Sequence, residues 1–200
     1  MSTATVDTDS ALHSFARTAP EALVPGNMRE KSSWTKPPQP EELSENATGL
    51  HDRPPELAEG LRAILASGKE QVFEDGMESD FSKALIALIR TYGNDTLAEF
   101  AYFIVYEKVN AEVASEALRW LGLMNHPLSY SWRLWLLERS LGSSSARIRD
   151  GAALGLAFLD DPAAIPHIKL AIQREPVAEL RQDLGQVLAQ LESSDRCHSS

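Results

Sequence analysis

The chain carries several copies of one apolar pattern, spaced as helical repeats are spaced. Residues 148–159 (IRDGAALGLAFL) and 180–191 (LRQDLGQVLAQL) align with their apolar, arginine and glycine positions in register, and Arg181 follows Arg149 by 32 residues. Residues 113–124 repeat the apolar frame 35 positions before 148–159 without the arginine, and 81–92 form a weaker copy. A period of this size, filled by two short helices, is typical of an α-solenoid, in which each unit buries its apolar face against a neighbour.

The composition of the chain changes near residue 52. Residues 1–52 lack sustained periodicity and are rich in proline, serine and glutamate, a composition that buries too little apolar surface to offset its ordering entropy. We predict a disordered tail over 1–52, a solenoid over 53–192 and a disordered tail over 193–200. In an alternative interpretation, Leu12 and Phe15, at helical spacing, and the isolated Trp34 belong to a segment that folds on contact with a partner.

Apolar stripes at helical spacing predict eight helices in the solenoid. The first begins near Asp52, with Pro54 and Pro55 in its first turn, ends at Gly68 and caps the stack. The others are predicted over 81–92, 96–108, 111–124, 129–141, 146–159, 163–174 and 177–191. The last of these helices forms half of a pair.

Three short segments carry helix-start chemistry. Asn94 and Asp95 are predicted to cap the helix over 96–108, and Asp161 to cap the helix over 163–174, with Pro162 as a first helical residue. Pro166 lies about one turn further on, so it should bend that helix or restart it.

The net charge of the chain narrows the class of partner. A net charge of -10 argues against general nucleic-acid binding, which needs Lys and Arg to displace counterions from phosphates. It favours a protein partner with a basic surface, and the alternative is that the charge serves only to keep the protein soluble.

No stretch approaches the ~20 apolar residues of a membrane span, and no secretion signal is evident, so we expect a cytoplasmic protein without membrane contact. The single cysteine, Cys197, excludes an internal disulfide.

The segment 148–191 resembles the HEAT-like repeats, particularly the short type of phycobilin lyase-like proteins. The resemblance rests on an arginine after an apolar residue, an alanine-rich helix, an Asp-Pro turn, an Ala-Ile-Pro start and a second arginine, here Arg149, Ala152, Ala153, Leu159, Asp160, Asp161, Pro162, Ala164, Ile165, Pro166 and Arg181. It implies a right-handed α-solenoid of about three and a half to four helix pairs. It also implies that Arg149 and Arg181 bond within or between units, so their roles are structural.

Large aromatic and arginine side chains cluster on the predicted helix over 129–141. Trp132 and Trp135 share one face with Arg139, whereas Tyr130 and Arg133 lie on another face. Such side chains anchor protein interfaces, and they also fill the cores of helix pairs. We predict that some of them are buried and that Trp132, Trp135, Arg133, Arg139 and Tyr130 supply the partner-binding contacts.

No catalytic or metal-binding constellation is evident from the sequence. The histidines are scattered without a second ligand at helical spacing, and the acidic connection over 70–80 lacks the spacing of a calcium loop, so we expect no metal and no cofactor. HEAT-like folds serve mostly as protein-binding scaffolds. The sequence therefore favours a non-catalytic scaffold that uses the concave face of the solenoid, in a narrower version an acidic inhibitor or immunity protein for a basic partner. The alternative is an enzyme or chaperone for a chromophore or nucleobase, as in the lyase-like and glycosylase-like HEAT proteins. The oligomeric state is left open.

Overall fold

A computed structural model describes residues 55–74, 77–106 and 109–198, so the predicted N-terminal tail lies outside the described residues. The described residues form helices and connecting turns and contain no strand. The eight α-helices are α1 Pro55–Gly68, α2 Asp80–Tyr92, α3 Asn94–Val105, α4 Ala111–Leu123, α5 Tyr130–Ser140, α6 Ala146–Leu159, α7 Ile165–Arg174 and α8 Ala178–His198. The predicted all-α solenoid is confirmed.

Two helix starts follow the predicted chemistry and one does not. The Asp161 carboxylate accepts a hydrogen bond from the Ala163 N–H at 2.8 Å, and a short 3₁₀ turn, Pro162–Ala164, precedes α7, which restarts with Pro166 in its first turn. The predicted capping by Asn94 and Asp95 is wrong, because α3 already begins at Asn94. Gly93, at a φ of 57°, joins α2 directly to α3. Only glycine adopts this backbone conformation without strain.

The C-terminal helix is longer than predicted. The sequence placed its end at Leu191 and a disordered tail over 193–200, whereas α8 continues to His198. Ser193 and Ser194 make hydrogen bonds there, Ser193 to the carbonyl oxygen of Ala189 and Ser194 to the Asp160 carboxylate at 2.9 Å. The polar composition of this last stretch masked a helix that Ser194 ties to the turn after α6.

The helices form two layers. The even-numbered helices α2, α4, α6 and α8 pack successively on one another. In the second layer α1 packs on α3 and α3 on α5, but α7 packs mainly on α8 and has only sparse backbone contact with α5. The second layer is therefore interrupted between α5 and α7.

Glycine at three positions brings α4 and α6 close together. A Cβ atom on Gly155 would lie 2.6 Å from the backbone oxygen of Leu118 and 2.5 Å from Cδ2 of Leu137. Gly122 and Gly151 face the opposing helix backbone in the same way. This interface is the tightest in the repeat region, and it buries Leu118, Ile148, Ala152 and Leu156.

A strict 35-residue repeat relates α4–α5 to α6–α7. Ala111 and Ala146 begin the first helix of each unit, and Pro127 and Pro162 begin the 3₁₀ turn before the second helix. Tyr130 and Ile165 then begin α5 and α7 at the same spacing. The same register places Arg139 and Arg174 in the last turns of these two helices. None of the helices in the described part of the chain combines the length and the apolarity that a membrane span requires.

Candidate functional site

The interruption of the second layer is a groove of about 490 Å³ between α5 and α7. Its floor is formed by the turn after α5, by Arg149 on α6 and by the turn between α7 and α8. The side chains along its walls include Trp135, Glu138 and Arg139 from α5 and His167, Leu170 and Arg174 from α7. Two of the five predicted partner-binding residues, Trp135 and Arg139, thus line one groove.

One hydrogen bond ties the beginning of α5 to the turn before α7. The Tyr130 hydroxyl donates to the Asp161 carboxylate. Burial and the acceptor carboxylate together raise the pKa of Tyr130 above its ordinary value, so the phenol stays protonated and remains the donor. Tyr130 was predicted as a partner contact; it is partly buried, and its hydroxyl takes part in this internal bond.

A contact between Glu138 on α5 and His167 on α7 spans the groove further along the same helices. Nδ1 of His167 lies 3.0 Å from Oε1 of Glu138. Burial raises the pKa of Glu138, and the neighbouring imidazole opposes that shift. The Glu138 side chain is largely covered whereas His167 is half exposed, so the imidazole is the accessible member of this pair.

Arg149 holds the floor of the groove. Its guanidinium donates to both carboxylate oxygens of Glu175 at 2.7 Å, and its remaining nitrogen donates to the backbone oxygens of Ser143 and Ser144. The hydrogen bond from Arg149 is the main reason that the pKa of Glu175 lies below its ordinary value. Arg181 donates to the backbone oxygen of Glu175 at 2.8 Å. Both repeat arginines therefore donate hydrogen bonds to Glu175, which lies between successive units.

Within the part of the chain that the structure describes, the side chains of Arg139 and Arg174 have no partner, unlike that of Arg149. Both side chains belong to exposed residues, and neither forms a hydrogen bond or ion pair within the described residues. Each lies in the last turn of its helix, where the helix dipole favours a positive charge. They are the two cations of the groove that are available to a ligand.

The tryptophans of α5 divide between core and groove. Trp132 is 6% exposed and packs in the core, whereas Trp135 is partly buried and lines the groove. Their rings meet edge to face with centroids 5.5 Å apart. Trp132 therefore supports the orientation of Trp135 without itself reaching the groove.

Arg133 is an internal residue, although the sequence placed it among the partner contacts. It is 2% exposed and donates to the backbone oxygen of Leu121 at 2.6 Å and to Oγ of Ser129 at 3.2 Å. These bonds satisfy the end of α4 and the turn before α5. Burial lowers the pKa of Arg133, though a guanidinium retains its charge at neutral pH.

The groove residues that the sequence analysis missed include four large side chains of its walls: Glu138, His167, Leu170 and Arg174. The repeat register could have identified two of them, because Leu170 follows Trp135 and Arg174 follows Arg139 by the same 35 residues. Glu138 and His167 carry no such signal, since their pairing depends on the distance between α5 and α7. Within the described ranges, no group of three or more His, Cys, Asp or Glu side chains is placed to hold a metal ion.

Comparison with known protein families gives a match over the repeat region. Residues 104–189 match the family model of HEAT repeats, a range that contains α4 to α7, the groove and most of α8. Neither the curated proteins nor the solved structures yielded a match to the chain. The layered helix pairs and the repeat arginines agree with this match, and residues 104–189 are therefore similar to HEAT repeats.

Proposed function

We propose that the chain is a non-catalytic scaffold that binds a segment of another protein in the groove between α5 and α7. The observation that carries this proposal is the opening in the second helix layer, where Trp135 and Leu170 lie beside two arginines that have no partner among the described residues. HEAT repeats commonly serve as protein-interaction scaffolds. Tryptophan and arginine are also the side chains that contribute most often to binding energy at interfaces.

The groove is preorganised by bonds that do not need a partner. The Tyr130–Asp161 hydrogen bond holds α5 to the turn before α7, and the Arg149–Glu175 pair holds the floor. A site whose walls are fixed before binding loses less conformational entropy on association. This rigidity favours recognition of a short segment that adapts to the groove.

The narrower predictions from sequence remain predictions. An acidic inhibitor or immunity protein for a basic partner is supported by the net charge of -10 of the whole chain, whereas the groove itself displays positive charge. No feature of the groove specifically supports the resemblance to phycobilin lyase-like repeats or the chromophore- or nucleobase-handling role that it implies. The predicted cytoplasmic location likewise stays a prediction.

Site-specific photo-crosslinking tests the proposal. A benzophenone amino acid at Leu170, which is 42% exposed in the groove, is compared with the same group at Leu154, which is 40% exposed on α6 outside it. Both variants are expressed in cells of the native source, and adducts are identified by mass spectrometry. We expect a protein adduct at position 170 that is absent at 154 and is lost with Trp135→Ala. Equal adducts at both positions, or none at 170, would contradict the proposal.

A further inference from the structure

The groove of this acidic protein carries unneutralised positive charge. Three arginines and two glutamates line it, and the Arg149–Glu175 pair cancels one charge of each sign. Glu138 adds one negative charge, and His167, whose Nδ1 lies 3.0 Å from its carboxylate, offsets that charge only when the imidazole is protonated. The positive charges left without a partner within the described residues are those of Arg139 and Arg174.

The two arginines form part of a repeated arrangement. Arg139 on α5 and Arg174 on α7 occupy equivalent positions in successive units, 35 residues apart. One turn earlier on the same helices, Trp135 and Leu170 are also equivalent and line the same groove. Each wall therefore presents an apolar side chain followed by a guanidinium.

We infer that the occupant of the proposed binding groove is an acidic peptide segment of a partner protein, with at least two carboxylates beside an apolar side chain. This inference rests on the proposed function and adds the chemistry of the partner. A guanidinium presents two parallel N–H donors that match a carboxylate, and such charge-assisted bonds are stronger than neutral ones. The apolar side chain of the segment packs between Trp135 and Leu170 while its carboxylates bind Arg139 and Arg174.

A protein segment fits this charge pattern better than nucleic acid does. Nucleic-acid binding draws its affinity from many phosphate contacts, and the chain has a net charge of -10 that repels an extended polyanion. Two arginines beside an apolar wall suit two carboxylates on a short peptide. The partner expected from the whole-chain charge is basic, so the groove and the remaining surface favour opposite partners.

Selection from a library of random short peptides displayed on phage, with the full-length protein as bait, tests the inference. We expect enriched peptides to combine Asp or Glu with a large apolar residue. A synthetic consensus peptide and its Glu→Gln counterpart are then titrated by fluorescence anisotropy. The Arg139→Ala/Arg174→Ala variant should raise the Kd at least about tenfold, because two charge-assisted contacts are lost. The peptide affinity should fall as salt rises from about 0.05 M to about 0.5 M.

Arg90→Ala is the matched control. Arg90 is also an exposed arginine in the last turn of a helix, α2, but it lies outside the groove. It should leave the Kd unchanged, and thermal unfolding of every variant verifies the fold. Two results would overturn the acidic inference and leave the proposed function standing. One is a consensus peptide that binds the Leu170→Ala variant more weakly but binds the arginine variant as tightly as wild type. The other is a consensus rich in lysine and arginine. Arginine-dependent binding of a single-stranded oligonucleotide, without any peptide binding, would overturn both the acidic inference and the proposed function. An enriched peptide whose affinity is the same for every groove variant would also overturn both.

Discussion

The guanidinium of Arg149 donates hydrogen bonds to both carboxylate oxygens of Glu175, which lies 26 positions later in the turn between α7 and α8. The Glu175 side chain is 1% exposed, so the pair is shielded from solvent. Each of its members also bonds to backbone, Arg149 to Ser143 and Ser144 and Glu175 to the N–H of Val177. This one pair thus fixes the end of one repeat unit against the start of the next.

Removing the charge of Glu175 should destabilise the fold in a pH-dependent way. Glu175→Gln leaves a largely buried guanidinium without its counter-ion, and we expect a loss of about 3 kcal/mol in the free energy of unfolding at neutral pH. Arg149 lowers the pKa of Glu175 in the folded state below its ordinary value of 4.5. The stabilisation is therefore complete above about pH 4.5 and is lost as the pH falls through the lower folded-state pKa.

Urea denaturation of wild type and Glu175→Gln between neutral and acidic pH measures this difference. The two free energies should converge at acidic pH. Glu112→Gln is the control, because the Glu112–Arg147 pair is exposed at both ends and such pairs contribute little. A constant difference between wild type and Glu175→Gln at all pH values would contradict the assignment.

Alanine at two glycines should have opposite effects. Gly155→Ala places a Cβ atom against the backbone of Leu118 in the α4–α6 interface, and such overpacking should cost about 1–3 kcal/mol. Gly185 lies inside α8 with no heavy atom within 4 Å of an added Cβ atom. Gly185→Ala should therefore stabilise the protein by about 0.5–1 kcal/mol, because alanine loses less backbone entropy in a helix.

Thermal unfolding of both glycine variants provides the measurement. A stability loss for Gly185→Ala equal to that for Gly155→Ala would show that the close approach of α4 and α6 is not the cause. The melting temperature of Gly155→Ala should also fall without a change in helix content at low temperature.

Arg133 and Arg139 should separate structural from binding roles on α5. Arg133→Ala removes the donor to the buried backbone oxygen of Leu121 and should cost about 2 kcal/mol or more. Arg139→Ala, at an exposed position, should change stability by less than about 0.5 kcal/mol. Chemical denaturation compares the two. Equal destabilisation by both substitutions would contradict the division of roles.

The sequence predicted the helices well because their determinants are local. Apolar periodicity set the extent of α6, and the Asp161-Pro162 chemistry set the start of the unit that contains α7. The start of α3 was wrong because the positive φ of Gly93 allows two helices to adjoin without a capping side chain. The end of α8 was misplaced because polar residues there are held by side-chain contacts with a distant turn.

The candidate site was only partly predictable because it depends on spacing between helices. Trp135 and Arg139 could be selected from α5 alone as large side chains on one face. Whether Arg133 reaches solvent depends on the packing of α4 against α5, which helical spacing does not reveal. The groove itself exists because α7 packs mainly on α8 and only sparsely on α5, and no local pattern in the sequence encodes that choice.

The two tryptophans of α5 should respond differently to truncation. Trp132→Ala removes a side chain that is 6% exposed and should cost about 3–5 kcal/mol, because a large cavity remains in the core. Trp135→Ala removes a partly buried groove side chain, so we expect a loss of about 1–2 kcal/mol in stability and a clear loss of partner binding. Denaturation curves give the first quantity and the Leu170 crosslink the second. A stable Trp132→Ala variant that alone loses the partner would mean that Trp132 becomes exposed on binding and that α5 rearranges to admit the ligand.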